Sequence, residues 1–305
     1  MINVVAVAML AGIVPVPALP TPMAYVRGGD VYVSAGPAEK RITTGAGYAR
    51  PRWSPDGRQL AVLRDGRLWT MKPDGTGQRR VSDRPAGGAS WSPDGKWLAF
   101  ASTSCTGGPG VYRIAAAGSG NPEVLFPAGC RGEDLPEVEA PQKVTGSLAD
   151  RLRVDDAVAW SPDGKQIAFR GGECDAVYDA CLSIGTVSSG EERTVAAYGG
   201  GSLQNKGFAA VPAWSPDGKR LAFTAYQEGE TAAENEPVHV VEWDPGTGAK
   251  RTVGVPQDRE AAYLDAGHAL VTSQTRGHSW VTLVDLKTGA RTLLHQGSQP
   301  SARPR

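Results

Sequence analysis

Trp53-Ser54-Pro55-Asp56-Gly57 returns as Trp91-Ser92-Pro93-Asp94-Gly95, Trp160-Ser161-Pro162-Asp163-Gly164 and Trp214-Ser215-Pro216-Asp217-Gly218. Each copy is followed, after a two-residue spacer, by a short apolar run: Leu60–Leu63, Leu98–Phe100, Ile167–Phe169 and Leu221–Phe223. Recurrence at tens of residues marks a repeat architecture. Proline presets φ at the second turn position, aspartate accepts local backbone hydrogen bonds, and glycine takes the left-handed conformation that closes the turn. Each copy therefore reads as a tight reversal between two antiparallel strands.

Working outward, a second reversal follows each apolar run, at residues 73–77, 118–120, 188–190 and 245–248. Third strands are predicted over 67–71, 110–114, 182–187 and 238–243, and fourth strands over 79–82, 123–126, 193–196 and 250–253. Four short strands per unit make a propeller blade. Tyr263-Leu264-Asp265-Ala266-Gly267-His268 is a degenerate copy that opens a further blade. Residues 24–43 supply second, third and fourth strands of another, without a first. The expected fold is all-β, a six-bladed β-propeller of four-stranded antiparallel blades over residues 23–295. Residues 127–157, polar and broken by Pro and Gly, read as an inserted loop, and 296–305 as a flexible tail too polar to form a strand.

The motif Trp-Ser-Pro-Asp-Gly-Lys/Arg followed by Leu/Ile-Ala-Phe resembles the repeat of TolB-like six-bladed propellers, and is similar to the propeller of the prolyl oligopeptidase family. The resemblance covers nearly everything from Ala24 to Leu294. It implies protein–protein interaction in the cell envelope. One propeller architecture hosts many activities, so the activity is argued from the site residues.

Composition narrows the classes further. The net charge is zero and the pI about 6.9, which disfavours a sequence-independent grip on nucleic acid. Ile2–Val16 is an uncharged apolar run leading into Pro17-Ala18-Leu19-Pro20, so residues 1–22 resemble a secretory signal cleaved near Ala18 rather than a stable membrane span. Residues 13–19 are an alternative source of the missing innermost strand. Four cysteines fit an oxidising compartment: secreted, periplasmic or cell envelope. Cys174 with Cys181 and Cys105 with Cys130 is one of three pairings, and all three stay open. No metal site or cofactor is expected, since there is no CxxC pair and the four histidines are scattered.

Strand parity assigns the motif turns and the third-to-fourth turns to one face of the disc. The long second-to-third loops and blade crossings fall on the other face. Function concentrates on loops held by a rigid scaffold, so the loop face is the expected binding surface, with Tyr178, Tyr198, Phe208 and Tyr226 as aromatic anchors. Residues ahead of each motif are mostly small. Arg50, Arg52, Asp156 and Glu260 are the charged exceptions, able either to grip a polar ligand at the channel mouth or to pair among themselves. No Gly-x-Ser-x-Gly, His-Glu-x-x-His or phosphate loop occurs. The first functional expectation is thus a non-catalytic propeller that binds a protein or small polar ligand through its loop face. The alternative is a propeller-type lyase or hydrolase acting on a carbohydrate or small molecule at the channel mouth.

Overall fold

The computed structural model describes residues 16–118, 120–133, 156–172, 180–199, 206–229 and 231–305. Within them stand six four-stranded antiparallel sheets. Blade 2 is β4 (Tyr48–Trp53), β5 (Leu60–Arg64), β6 (Arg67–Met71) and β7 (Arg79–Pro85). Blade 3 is β8 (Ala89–Trp91), β9 (Trp97–Thr103), β10 (Pro109–Ala115) and β11 (Glu123–Phe126). Blade 4 is β12 (Ala159–Trp160), β13 (Gln166–Arg170), β14 (Ala180–Thr186) and β15 (Glu192–Tyr198). Blade 5 is β16 (Gly207–Trp214), β17 (Leu221–Gln227), β18 (Glu236–Trp243) and β19 (Lys250–Val253). Blade 6 is β20 (Arg259–Tyr263), β21 (His268–Thr275), β22 (His278–Asp285) and β23 (Arg291–Gln296).

Blade 1 corrects the expectation for the tail. Its order is β24 (Ser298–Ala302), β1 (Met23–Arg27), β2 (Asp30–Ser34), β3 (Glu39–Arg41), so residues from beyond blade 6 supply the innermost strand. Ala302 pairs with Met23 as Trp53 pairs with Leu60. The polar Ser298-Gln299-Pro300-Ser301 is stable there because it faces neighbouring blades that satisfy its polar groups. Closing the ring with a strand from the other end of the chain turns an open solenoid into one without exposed first and last repeats.

The segment expected as a leader also overlaps the fold. Leu19 is buried, donates its N–H to the Ala35 carbonyl at 2.9 Å, and packs with Met23, Leu264, Leu270 and Leu294 between blades 6 and 1. Residues 1–15 lie outside the described residues, and β24 takes the place proposed for 13–19.

The core sits between blades. Apolar clusters join blades 1 and 2 (around Val31, Trp53 and Val62), 2 and 3 (Leu68, Trp91, Phe100), and 3 and 4 (Phe126, Ile167, Phe169). Others join 4 and 5 (Ile184, Phe223, Trp243), 5 and 6 (Val240, Val271), and 6 and 1 (Tyr25, Leu270). A fully buried aromatic such as Phe100 contributes about 2–3 kcal/mol relative to exposure. Blades 3 and 4 touch directly, through a parallel bridge between Gly88 and Ala157 and a Trp160 N–H bonded to Ser90 Oγ.

The motif turns are built as their residues dictate. Ser54 N–H bonds the Gln59 carbonyl, and Ser54 Oγ donates to Asp56 Oδ1 at 2.6 Å while accepting from Gln59 N–H at 2.9 Å. Ser92, Ser161 and Ser215 repeat the pattern with Asp94, Asp163 and Asp217. Gly57 closes its turn at φ +66°, a conformation that L side chains rarely adopt.

Candidate functional site

One residue per blade stands three positions ahead of the aromatic anchor or, in blade 1, of Ala302 at that position: Arg50, Gly88, Ala157, Val211, Glu260 and Gln299. Four of them are non-glycine residues in the left-handed region: Arg50 (φ +50°), Val211 (+53°), Glu260 (+58°) and Gln299 (+57°). The pairing register slips across each of these positions. Such a conformation costs roughly 1–2 kcal/mol per residue and takes the residue's N–H out of the ladder. Each lost bond is replaced from the blade before. Arg50 N–H donates to Gln299 Oε1 at 2.8 Å and Gln299 N–H to Glu260 Oε2 at 3.0 Å. Glu260 N–H donates to Thr224 Oγ1 at 2.9 Å and Val211 N–H to Asp156 Oδ1 at 3.3 Å. The relay runs from blade 2 through 1, 6 and 5 to 4, where Gly88 N–H of blade 3 bonds the Asp156 carbonyl at 2.7 Å.

Side chains seal this ring. Arg50 Nη1 stands 3.1 Å from Glu260 Oε1, with both side chains almost completely buried. Burial acts to raise the Glu260 pKa, but the Arg50 and Arg259 charges, the Thr272 hydroxyl and the Gln299 N–H outweigh it and hold the carboxyl below the ordinary glutamate value. Asp156 caps Ala157 N–H at 2.7 Å and pairs with Arg170 at 2.8 Å. Of the two sequence readings, the structure carries mutual pairing for Arg50 with Glu260. Asp156 belongs to the same ring through a different partner.

The remaining sequence-selected residues do not converge with them. Arg52 lies on the turn side, half-buried, donating to the Pro51 carbonyl at 3.0 Å. His268 sits in the degenerate turn, 2.9 Å from Asp265. Phe208 is core, 2% exposed, with Tyr226 stacked on it at 5.6 Å. Tyr198 packs into the blade 4–5 cluster, and burial, with Glu236 nearby, pushes its hydroxyl up to about 12. Tyr178 and Cys174 lie outside the described residues. Cys105 and Cys130 form a disulfide that ties the β9–β10 loop to the short turn after β11, and Cys181 is also disulfide-bonded. Sequence reasoning missed Gln299, Thr224 and Thr272, which carry the relay; only their alignment with the repeat could have pointed to them.

On the turn side the axis opens into a basin of about 580 Å³ to which every blade contributes. Its walls hold the four motif tryptophans and prolines, Tyr263, and residues 301–305. Among the described residues, the β9–β10 connection with its disulfide lies on the opposite face. Among the described residues, no group of three or more His, Cys, Asp or Glu is placed to hold a metal ion, and no helix is long and apolar enough to cross a membrane.

Comparison with solved structures supports the fold. A TolB from Acinetobacter baumannii superposes with a TM-score of 0.69 at 15% identity, over 95% of this chain and 68% of that one. The fold is that of a TolB-like propeller. A putative TolB from Agrobacterium tumefaciens superposes on this TolB-like chain with a TM-score of 0.61 at 17% identity, over 92% and 91% of the two chains. In sequence, the chain is 28% identical over 222 residues to an uncharacterized peptidase, YuxL, of Bacillus subtilis. That match takes in 70% of this chain and 26% of the relative, about a quarter of its length. No family model matches the sequence.

Proposed function

We propose that this protein is a non-catalytic binding propeller of the cell envelope that engages a protein partner through its loop face. The observation that carries the reading is the sealed axis. Arg50, Asp156 and Glu260, the charged groups nearest a catalytic constellation, are buried and engaged in the relay and its ion pairs. Catalysis needs a nucleophile, a base and space for a reacting atom to converge on one cavity, and these groups offer no such space. The disulfide at the loop face fits an oxidising compartment, and the TolB-like fold fits envelope protein binding.

Tyr226 stays half-exposed at the loop end of β17, where its ring stacks on Phe208. Capture of a protein from an envelope extract by the immobilised propeller, lost in a Tyr226→Ala variant that still melts cooperatively, is the expected outcome. Undiminished capture by that variant would refute the loop-face assignment.

A second reading is favoured by the YuxL match alone: the propeller as one part of a peptidase-like protein. Hydrolysis of aminoacyl and dipeptidyl p-nitroanilides by the intact protein, absent in the first reading, separates the two.

A further inference from the structure

The tryptophans of the motif are not equivalent. Trp91 Nε1 donates to the Arg52 carbonyl at 3.0 Å and Trp214 Nε1 to the Ala159 carbonyl at 3.2 Å, each reaching the preceding blade. Trp160 Nε1 donates to its own Gly164 carbonyl at 3.0 Å. Trp53 Nε1 is buried without an acceptor, in a residue only 6% exposed. A buried donor left unsatisfied is costly, and native proteins keep few of them. Trp53 stands in the wall of the turn-side basin, beside the one sector where the aromatic ring is interrupted: blade 1 carries Ala302 at the tryptophan position.

The same sector carries positive charge. Arg303 lies over the Trp53 ring at 5.7 Å, and among the described residues no carboxylate stands within ion-pair distance of it. Arg52 and Arg305 also line the basin against a single carboxylate, Asp265, which already pairs with Arg305 at 3.3 Å. Proline rings and indoles around the rest of the wall are the surfaces that dock extended polyproline-type segments, and the volume is that of a ligand-sized cavity.

From these features we infer that the turn-side basin is a second binding site, for an extended, proline-containing peptide whose carboxylate reaches Arg303 and whose rings pack on the indoles and prolines of the wall. It lies on the face opposite the β9–β10 connection, so it stands or falls independently of the loop-face reading.

The test uses the full chain and two capped peptides, acetyl-Pro-Pro-Leu-Pro-Pro-Glu-amide and its Gln analogue, titrated by calorimetry and tryptophan fluorescence. The expected result is a Kd of roughly 0.1–1 mM for the Glu peptide, weakened about tenfold in the Gln peptide and in Arg303→Ala. Trp53→Phe is expected to weaken binding; because it also shrinks a residue of the blade 1–2 cluster and lowers the melting temperature, its titration is run well below its own transition. Tyr226→Ala on the loop face is expected to leave the titration unchanged. No binding at several millimolar, equal binding of the two peptides, indifference to Arg303→Ala, or loss on Tyr226→Ala would each overturn the inference. Tighter binding of free phenylacetate than of the Glu peptide would overturn the peptide assignment.

Discussion

Replacing Glu260 by glutamine keeps the side chain's size and one oxygen acceptor while removing the charge that faces Arg50 across 3.1 Å. The relative exposures of the two side chains are 0% and 4%, so solvent screening does little to soften the change. Removing one partner of a buried pair costs about 3–5 kcal/mol, because the other charge is left in a low-dielectric interior. The lower end, about 3 kcal/mol, applies here, because the new amide oxygen still accepts from Gln299 N–H or Thr272 Oγ1. At about 2–4 °C per kcal/mol for a domain of this size, the melting midpoint followed by circular dichroism falls by about 6–12 °C. Adding Arg50→Met removes the stranded charge and restores at least half of that loss, since deleting both members of a buried pair is far cheaper than deleting one. A single-variant midpoint within about 2 °C of the parent would refute the claim that the axis is held by this pair.

Three further outcomes follow from the same geometry. Replacing Cys105 and Cys130 by alanine, which opens a link of sequence separation 25, is expected to cost about 3.5 kcal/mol on the chain-entropy estimate, read as a lower urea midpoint. Ending the chain before Gly297 deletes β24 and bares the edge of β1, so cooperative melting is expected to vanish; an unchanged transition would contradict ring closure by that strand. The serine hydroxyls, then the backbone N–H groups, hold Asp56, Asp94, Asp163 and Asp217 below the ordinary aspartate value. Their folded pKa values are depressed, so their contribution is complete above the unfolded value of about 3.9 and is lost as pH falls through the lower folded values. A quadruple Asp→Asn variant should therefore lose part of the acid limb of a melting-versus-pH curve, and an identical limb would count against the turn geometry.

The blades were legible because each motif residue acts locally. Proline, aspartate and glycine make the same turn wherever they occur, and the spacing between copies counts repeats and sorts turns from loops. The closing strand was not legible, because Ala302 stands where the repeat has tryptophan and Arg303-Pro304-Arg305 where it has Ser-Pro-Asp. Polar Gln299 reads as tail until its neighbours are known; its side chain then proves to be the acceptor for Arg50 N–H. The bulges were hidden for a related reason. Left-handed backbone is announced by glycine, and Arg50, Val211, Glu260 and Gln299 adopt it only because adjacent blades supply acceptors for the displaced N–H groups. Arg50 and Glu260 were picked out by charge at the right place in the repeat, but their partnership joins blades that are far apart in sequence.

The sealed axis supports the non-catalytic reading, and hydrogen exchange at individual amides tests it most directly. The N–H groups of Arg50, Val211, Glu260 and Gln299 lie outside regular ladders, yet each donates across a blade boundary. They are predicted to exchange as slowly as the buried strand amides of Val62 and Phe100, opening only with global unfolding. Exchange at the rate of exposed loop amides would mean an axis open to water, and would contradict the account.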